Sequence, residues 1–179
     1  YSEDLVLPAG NLREPKIGAK RADIIVVTKC PDSLSKAEQE QIRKKLDLDH
    51  NQQLFFTTIA YSDSVFGRNS EISLEELQKR HFTLVTGIAN PQPLVDFLKA
   101  RGLSCEHKKF PDHHNFSASE IKELQSRNLL VTTEKDYMRL KNDILGENLF
   151  YLPIQTKFLE GKAGFDGIVK TFVRVNQQA

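Results

Sequence analysis

The residues best suited to chemistry lie in the run FPDHHNF, at positions 110–116, where one carboxylate precedes two imidazoles. A carboxylate can orient a neighbouring imidazole, and the ordinary histidine pKa of about 6.5 suits proton transfer near neutral pH. Asp112 and His113 are therefore the candidate proton-transfer pair. Taken alone, the same motif also fits a histidine that faces solvent or caps the helix that follows.

A metal site is the weaker interpretation of this motif. His113 and His114 are adjacent, and adjacent side chains in extended backbone point to opposite sides. We therefore expect that they do not bind one ion together, and the spacing supplies no further ligands around them. A metal-dependent phosphohydrolase centred on Asp112 and His113 stays an alternative, but no metal ligand is assigned within these residues.

Three further polar segments follow predicted strands, and the first of them is VTKCPD, after the first strand. VTGIANP contains Gly87, which permits close backbone approach, and VTTEKD places Glu134, Lys135 and Asp136 at a helix start. Free amides of a first helical turn can hold a polar ligand, although the helix dipole is by itself a sufficient explanation for acids there, and this structural explanation is favoured. Because ligands of open α/β sheets bind at the carboxyl ends of strands, we expect these segments to line one cleft.

The elements that must position these residues alternate between β-branched apolar runs and amphipathic stretches. The pattern predicts strands at 23–28, 54–61, 82–88, 104–110, 129–133 and 148–152. It predicts helices at 35–46, 73–79, 91–101, 117–127, 134–142 and 164–175, and a loop at 62–70. Ser117 and Glu120 have the spacing of a capping box, which places the histidines in a strand-to-helix loop. The predicted fold is α/β, a mostly parallel sheet with helices on both faces in three layers.

Composition limits the possible partners. The 179 residues carry 25 Lys and Arg against 24 Asp and Glu, a net charge of +1, so no broad basic field favours nucleic acid. No apolar run reaches the roughly 18 residues that a membrane-spanning helix needs. The two cysteines form no CxxC pair, and a reducing cytoplasmic compartment is expected. The patterns GxGxxG and GxxxxGK[ST] are absent, so these residues hold no complete phosphate-binding loop.

Four segments, taken in order and spacing, resemble the bacterial lipid A tetraacyldisaccharide 4′-kinase family: LPAGNLREP, GIANPQPLVDFL, FPDHHNFSASEI and LLVTTEKDYMRL. The resemblance covers about residues 7–175 and corresponds to the C-terminal half of that P-loop-type kinase. It implies that residues 1–62 end the P-loop-type core and that residues 63–179 form a second α/β lobe. With a chain that opens on Tyr1, it also implies a fragment.

The resemblance assigns roles to single residues. Asp112 and His113 fall on the family's Asp-His pair, which implies that His113 joins a catalytic proton network with an Asp outside these residues. His114 falls on a position that the family does not fix. The substrate or nucleotide cleft residues, from the motifs and the resemblance together, are Arg13, Glu14, Gly87, Glu134, Lys135 and Asp136.

The implied reaction transfers the γ-phosphoryl group of ATP to the 4′-hydroxyl of a tetraacylated glucosamine disaccharide 1-phosphate. In the family, ATP and Mg²⁺ are bound mainly by residues that precede the LPAG segment, and an N-terminal segment contacts the cytoplasmic face of the inner membrane. These 179 residues alone are therefore expected to be inactive. The alternatives are a non-catalytic α/β ligand-binding module and the metal-dependent phosphohydrolase.

Overall fold

The computed structural model describes residues 16–177. A 3₁₀ helix at Lys16–Arg21 precedes nine strands and six helices of this part of the chain. The strands are β1 (Ile24–Val27), β2 (Gln53–Tyr61), β3 (Ser64–Phe66), β4 (Glu71–Ser73), β5 (Phe82–Thr86), β6 (Cys105–Lys109), β7 (Leu130–Thr133), β8 (Leu149–Leu152) and β9 (Ile154–Phe158). The helices are α1 (Lys36–Leu46), α2 (Leu74–Leu77), α3 (Gln92–Ala100), α4 (Ala118–Gln125), α5 (Glu134–Leu140) and α6 (Lys162–Asn176).

The chain divides into two compact units. The first combines Tyr1–Ile59 with Thr156–Ala179, and the second is Ala60–Gln155. The sequence-based division instead assigned everything from residue 63 onward to one lobe. The difference has a clear cause, because β9 lies beside β2 in one sheet and thereby returns the last part of the chain to the first unit.

The first unit has a three-stranded sheet in the order β1-β2-β9, in which β1 and β2 run parallel. Its helix α1 begins at a complete capping box, since Ser35 accepts from the backbone of Glu38 and the Glu38 carboxylate accepts from the backbone of Ser35. Phe55, Phe158 and Phe165 meet with ring centroids 5.0 to 6.0 Å apart. These edge and tilted ring contacts join β2, β9 and α6.

The second unit has a six-stranded sheet in the order β4-β3-β8-β7-β5-β6. β5 pairs in parallel with β6 and β7, and β7 pairs in parallel with β8. β3 runs antiparallel to both of its neighbours, β4 and β8. The mostly parallel α/β fold predicted from the sequence is therefore confirmed.

Hydrophobic residues cover both faces of this sheet. Leu84 and Val131 point to one face, where Leu94 and Leu98 of α3 pack against them with the side chains of α2. Val85 and Leu130 point to the other face, where α4, α5 and Ile144 cover them. Successive residues of a strand thus belong to two separate hydrophobic cores, one on each face of the sheet. The unit therefore has three layers, helix, sheet and helix.

The six predicted strands and six predicted helices are all present in the described residues, with shifted ends. The sequence missed β3, β4 and β9, and β3 lies inside the stretch 62–70 that was predicted to be a loop. Three-residue strands are too short to show alternation, so their pairing partners decide them. No helix within residues 16–177 is both long and apolar enough to cross a membrane.

Candidate active site

Three segments meet where strands β5, β6 and β7 of the second unit's sheet end, and this side of the sheet is called its carboxyl edge. β5, β6 and β7 are parallel neighbours, so their carboxyl ends lie together. Gly87 follows β5, the Asp112-His113 loop follows β6, and α5 begins directly after β7. The parallel pairing therefore brings together side chains that the sequence separates by up to about fifty positions.

Asp112 is held as a carboxylate by Lys135. The Lys135 Nζ donates to Asp112 Oδ1 at 2.9 Å, and the backbone N–H of His113 donates to the same oxygen at 3.0 Å. The hydrogen bond from Lys135 is the main cause that lowers the pKa of Asp112 below its ordinary value. At neutral pH, Asp112 therefore only accepts hydrogen bonds.

His113 lies between two cationic side chains. Its Nδ1 is 3.1 Å from an Nη2 of Arg139, and its Nε2 is 3.3 Å from the Nζ of Lys135. The Asp112 Oδ2 lies 3.8 Å from the same Nε2. The residue has a left-handed φ of 59°, which non-glycine residues seldom adopt, and its side chain is 72% exposed. The loop thus presents an exposed imidazole whose ring is held from α5.

Asp136 lies inside the protein and links Gly87, which follows β5, to the end of β7 by hydrogen bonds. It is fully buried, and its Oδ2 accepts from the Gly87 N–H at 2.8 Å and from the Thr133 hydroxyl at 2.8 Å. Its Oδ1 lies 3.6 Å from Nη1 of Arg139. A side chain without exposure does not face a ligand directly, so Asp136 connects the loop after β5 to α5.

We expect Gly87→Ala to destabilise the second unit by about 1 to 3 kcal/mol, the usual cost of overpacking. A Cβ at Gly87 would lie 3.0 Å from Asp136 Oδ1, and two hydrogen bonds prevent that carboxylate from moving away. Urea unfolding measures the loss.

The matched control is Gly167→Ala in α6. A Cβ at Gly167 meets no described atom within 4 Å beyond its own helix and chain neighbours. Alanine there should stabilise the helix by about 0.5 to 1 kcal/mol. Equal responses of the two variants would contradict the close approach at Gly87.

His114 contacts a different set of residues from His113, although the backbone at His113 is left-handed and not extended as the sequence argument assumed. Its Nε2 is 3.1 Å from both carboxylate oxygens of Glu120, and its ring stacks on Phe110 with centroids 4.9 Å apart. Phe116 meets the same ring edge-on at 5.1 Å. His114 therefore connects the loop to α4 through Glu120, and it is not part of the group formed by Asp112, His113, Lys135 and Arg139.

Glu120 completes the predicted capping box with Ser117. Hydrogen bonds from the Ser117 backbone N–H and hydroxyl, followed by that from His114, lower the pKa of Glu120 to about 2. The folded-state pKa is thus below the ordinary value of 4.5. The resulting stability is present above pH 4.5 and is lost as the pH falls toward about 2.

Glu120→Gln should therefore flatten the acid side of the stability curve. We expect urea midpoints of the variant to fall less steeply than those of the unmodified chain between pH 4.5 and about 2. Glu147→Gln, an exposed carboxylate before β8, serves as the control and should keep the original slope. A parallel pair of curves for Glu120→Gln and the unmodified chain would refute the assignment.

The structure places most of the predicted site residues. It brings together Asp112, His113, Gly87, Lys135 and Asp136, while Glu134 is exposed on the first turn of α5. Arg13 and Glu14 lie outside the described residues. The prediction missed Arg139, which the sequence signals only by its spacing of three from Asp136 and four from Lys135 on one helix.

The described residues include side chains that can bind phosphate but no cluster that could hold a metal ion. Lys135 and Arg139 are cations of the kind that bind phosphate oxygens. Within residues 16–177, no group of three or more His, Cys, Asp or Glu side chains is arranged to hold a metal ion. The carboxyl ends of these strands thus carry an exposed imidazole next to a carboxylate, together with two cationic side chains.

An open, mostly parallel α/β sheet with helices on both faces is the architecture of the doubly wound α/β class. The sequence profile described as tetraacyldisaccharide-1-P 4′-kinase matches residues 1–174. The chain therefore belongs to the tetraacyldisaccharide 4′-kinase family.

Individual relatives agree with this assignment. The chain is 42% identical to a tetraacyldisaccharide 4′-kinase of Flavobacterium johnsoniae, over 98% of this chain and 52% of the relative. It is 35% identical to one of Phocaeicola vulgatus, over 98% of this chain and 53% of the relative. The chain thus spans about half the length of these curated relatives.

A solved structure shares the fold. It is described as the "apo" form of LpxK from Aquifex aeolicus in complex with ATP, and it superposes with a TM-score of 0.62. The alignment covers 94% of this chain and 48% of the other, at 23% identity. At that identity the likeness concerns the fold.

Proposed function

We propose that the chain works within a kinase that transfers the γ-phosphoryl group of ATP to the 4′-hydroxyl of a tetraacylated glucosamine disaccharide 1-phosphate. The observation that carries the proposal is the Asp112-His113 pair, fixed by Lys135 and Arg139 at the carboxyl edge of the sheet. Membership of a family whose named members are tetraacyldisaccharide 4′-kinases supports the choice of substrate. The proposed location is the cytoplasmic face of the bacterial inner membrane.

Phosphoryl transfer requires mainly positioning and charge stabilisation from a protein. His113 is proposed to join the proton network at the acceptor hydroxyl, together with a carboxylate outside these residues. Asp112 keeps the loop in place through its hydrogen bond from Lys135. Lys135 and Arg139 add positive charge near the group that carries phosphate.

ATP and Mg²⁺ are proposed to be bound mainly by residues outside this chain. No GxxxxGK[ST] pattern occurs in the 179 residues, and the relatives are about twice as long. Mg²⁺ would neutralise charge on the phosphates when bound. Arg13 and Glu14 are proposed to lie beside the nucleotide and substrate, and Gly87, Glu134 and Lys135 to shape the cleft. A segment outside the chain would contact the membrane surface.

The proposed division of the chain follows from this assignment. Residues 1–62 are proposed to end a P-loop-type core, which β9 and α6 rejoin. The rest of residues 63–179 is proposed to form the second lobe, which carries the acceptor-side chemistry. Asp136 supports that lobe through its buried hydrogen bonds to Gly87 and Thr133.

The test compares two lengths of the protein. Labelled ATP and a tetraacyldisaccharide 1-phosphate acceptor are given to the natural chain extended upstream and to the 179 residues alone. We expect transfer by the extended chain and none by the 179 residues, because the phosphate loop is outside them. Turnover by the 179 residues would refute this division of labour.

Two other outcomes would change the assignment. Absence of transfer by the extended chain would favour a non-catalytic α/β ligand-binding module. Stoichiometric metal that is bound by the protein and lost in His113→Ala would favour the phosphohydrolase.

A further inference from the structure

We infer that Arg139 is a positioning residue, anchored on buried Asp136, that sets the orientation and the tautomer of the His113 ring. The inference about the ring stands on contacts within the second unit. Its consequence for catalysis rests on the function proposed above.

The anchor is built into the core of this edge. Asp136 is fully buried and its Oδ2 is fixed by the Gly87 N–H and the Thr133 hydroxyl, each at 2.8 Å. Its Oδ1 faces the Nη1 of Arg139 at 3.6 Å. Among the described residues, both of these atoms are buried and neither has a hydrogen-bond partner. The negative Asp136 Oδ1 and the positive Arg139 Nη1 therefore pair with each other.

The second arm of the guanidinium reaches the imidazole. The Nη2 of Arg139 lies 3.1 Å from His113 Nδ1, while the Arg139 side chain is only 28% exposed. A guanidinium is planar and rigid, so fixing Nη1 on Asp136 also fixes the direction of Nη2. The buried carboxylate thus controls the ring through one intermediate side chain.

This contact decides which ring nitrogen carries the proton. A guanidinium has five donors and no acceptor, so a hydrogen bond from Arg139 requires the lone pair of His113 Nδ1. In the neutral ring the hydrogen then lies on Nε2, the nitrogen 3.8 Å from Asp112 Oδ2. His113 therefore presents an N–H that can orient an anionic or acidic group.

Lys135 is the competing cation on the other side of the ring. Its Nζ is 3.3 Å from His113 Nε2 but 2.9 Å from Asp112 Oδ1, so its shorter contact is with the carboxylate. A neutral imidazole has one acceptor nitrogen, so only one of the two cations can donate to it. The buried anchor favours Arg139 in this role. Among the described residues, the charged groups that face His113 are Asp112, Lys135 and Arg139. Asp136 contacts the other terminal nitrogen of the Arg139 guanidinium, Nη1.

The test measures the tautomer directly. The full-length protein is labelled with ¹⁵N-histidine, and long-range ¹H–¹⁵N correlations are recorded at a pH well above the ordinary histidine pKa. His113→Ala identifies the resonances. We expect an acceptor-type Nδ1 and a hydrogen-bearing Nε2 in the unmodified protein.

Variants separate the two cations. In Arg139→Met the two His113 nitrogen shifts should move toward each other as the second tautomer becomes populated. Asp136→Asn should move them in the same direction, because the guanidinium loses its anchor. Lys135→Met should leave the Nε2–H tautomer in place. Unchanged His113 shifts in folded Arg139→Met would overturn the inference, whatever the kinase activity.

Arg139→Lys is the second variant if methionine prevents folding. An ammonium group is a point donor and cannot span both Asp136 and His113, so the shifts should move here as well. Shifts identical to those of the unmodified protein would again overturn the inference.

Kinetics of the full-length protein separate the inference from the proposed function. Arg139→Met should lower kcat about tenfold or more with little change in KM, because the His113 N–H would no longer be aimed at the group that it orients, and misplacement of such a group can cost about 10²-fold. A changed tautomer with unchanged kcat would support the role of Arg139 and refute the catalytic role of His113.

Discussion

His113→Ala is expected to lower kcat of phosphate transfer by the full-length protein about 10²–10⁴-fold, the usual contribution of a positioned acid or base. This expectation rests on the proposed kinase activity and on the position of His113 beside Asp112, Lys135 and Arg139. The ring is 72% exposed, so its removal leaves no cavity and the fold should persist. Transfer of labelled phosphate from ATP to the lipid acceptor measures the loss.

The matched control is His81→Ala. His81 is an exposed histidine of the same unit that directly precedes β5, at the opposite edge of the sheet from Gly87. This variant should keep kcat and KM unchanged. A folded His113→Ala enzyme with full turnover would remove His113 from the catalytic machinery, and an equal loss in His81→Ala would indicate an effect on folding.

The second large effect concerns stability. Asp136→Leu should lower the free energy of unfolding by about 3 to 5 kcal/mol, the typical result of removing one partner of a buried ion pair. The loss leaves the Gly87 N–H and the Thr133 hydroxyl without their acceptor, and it leaves Arg139 Nη1 buried without a counter-charge. Urea unfolding monitored by circular dichroism measures the change.

Two comparisons identify the cause of that loss. Asp136→Asn keeps the shape but turns amide hydrogens toward donors, so it should also destabilise, which excludes size as the explanation. Asp143→Ala removes an exposed aspartate shortly after α5 and should change stability by less than about 0.5 kcal/mol. Similar losses in Asp136→Leu and Asp143→Ala would contradict the bracing role.

The loss of activity in His113→Ala and the loss of stability in Asp136→Leu have different causes, although α5 carries Asp136 and contacts His113. Asp136 and Arg139 lie one turn apart in α5, with Asp136 facing the core and Arg139 reaching the surface. A change at Asp136 should therefore affect both folding and the His113 ring. A change at His113 should affect only the chemistry, because no described buried group depends on its side chain.

Local sequence determined much of what was predicted correctly. The capping box of Ser117 and Glu120 lies within four residues, so its residue types suffice to predict it. The alternation of apolar strands with amphipathic helices predicted a mostly parallel sheet with helices on both faces, because each periodicity reflects which side of an element is buried. The grouping of Gly87 with the loop after β6 followed from the same reasoning. The same reasoning wrongly added the segment VTKCPD, which follows β1 in the other sheet.

Tertiary structure alone decided the remaining features. β3, β4 and β9 exist because partner strands supply their hydrogen bonds, and three to five residues carry too little pattern to predict this pairing. The return of β9 to β2 also places the end of the chain in the first unit.

The site shows the same distinction. The sequence by itself determined which residue types follow each strand, and it thereby predicted Asp112, His113 and Lys135 as site residues. It did not determine that Asp136 is buried or that Arg139 reaches His113 across 26 positions. Burial and contacts between distant residues depend on how the elements pack, since no local periodicity specifies which side chain meets which. The tertiary structure therefore decided how the His113 ring is held.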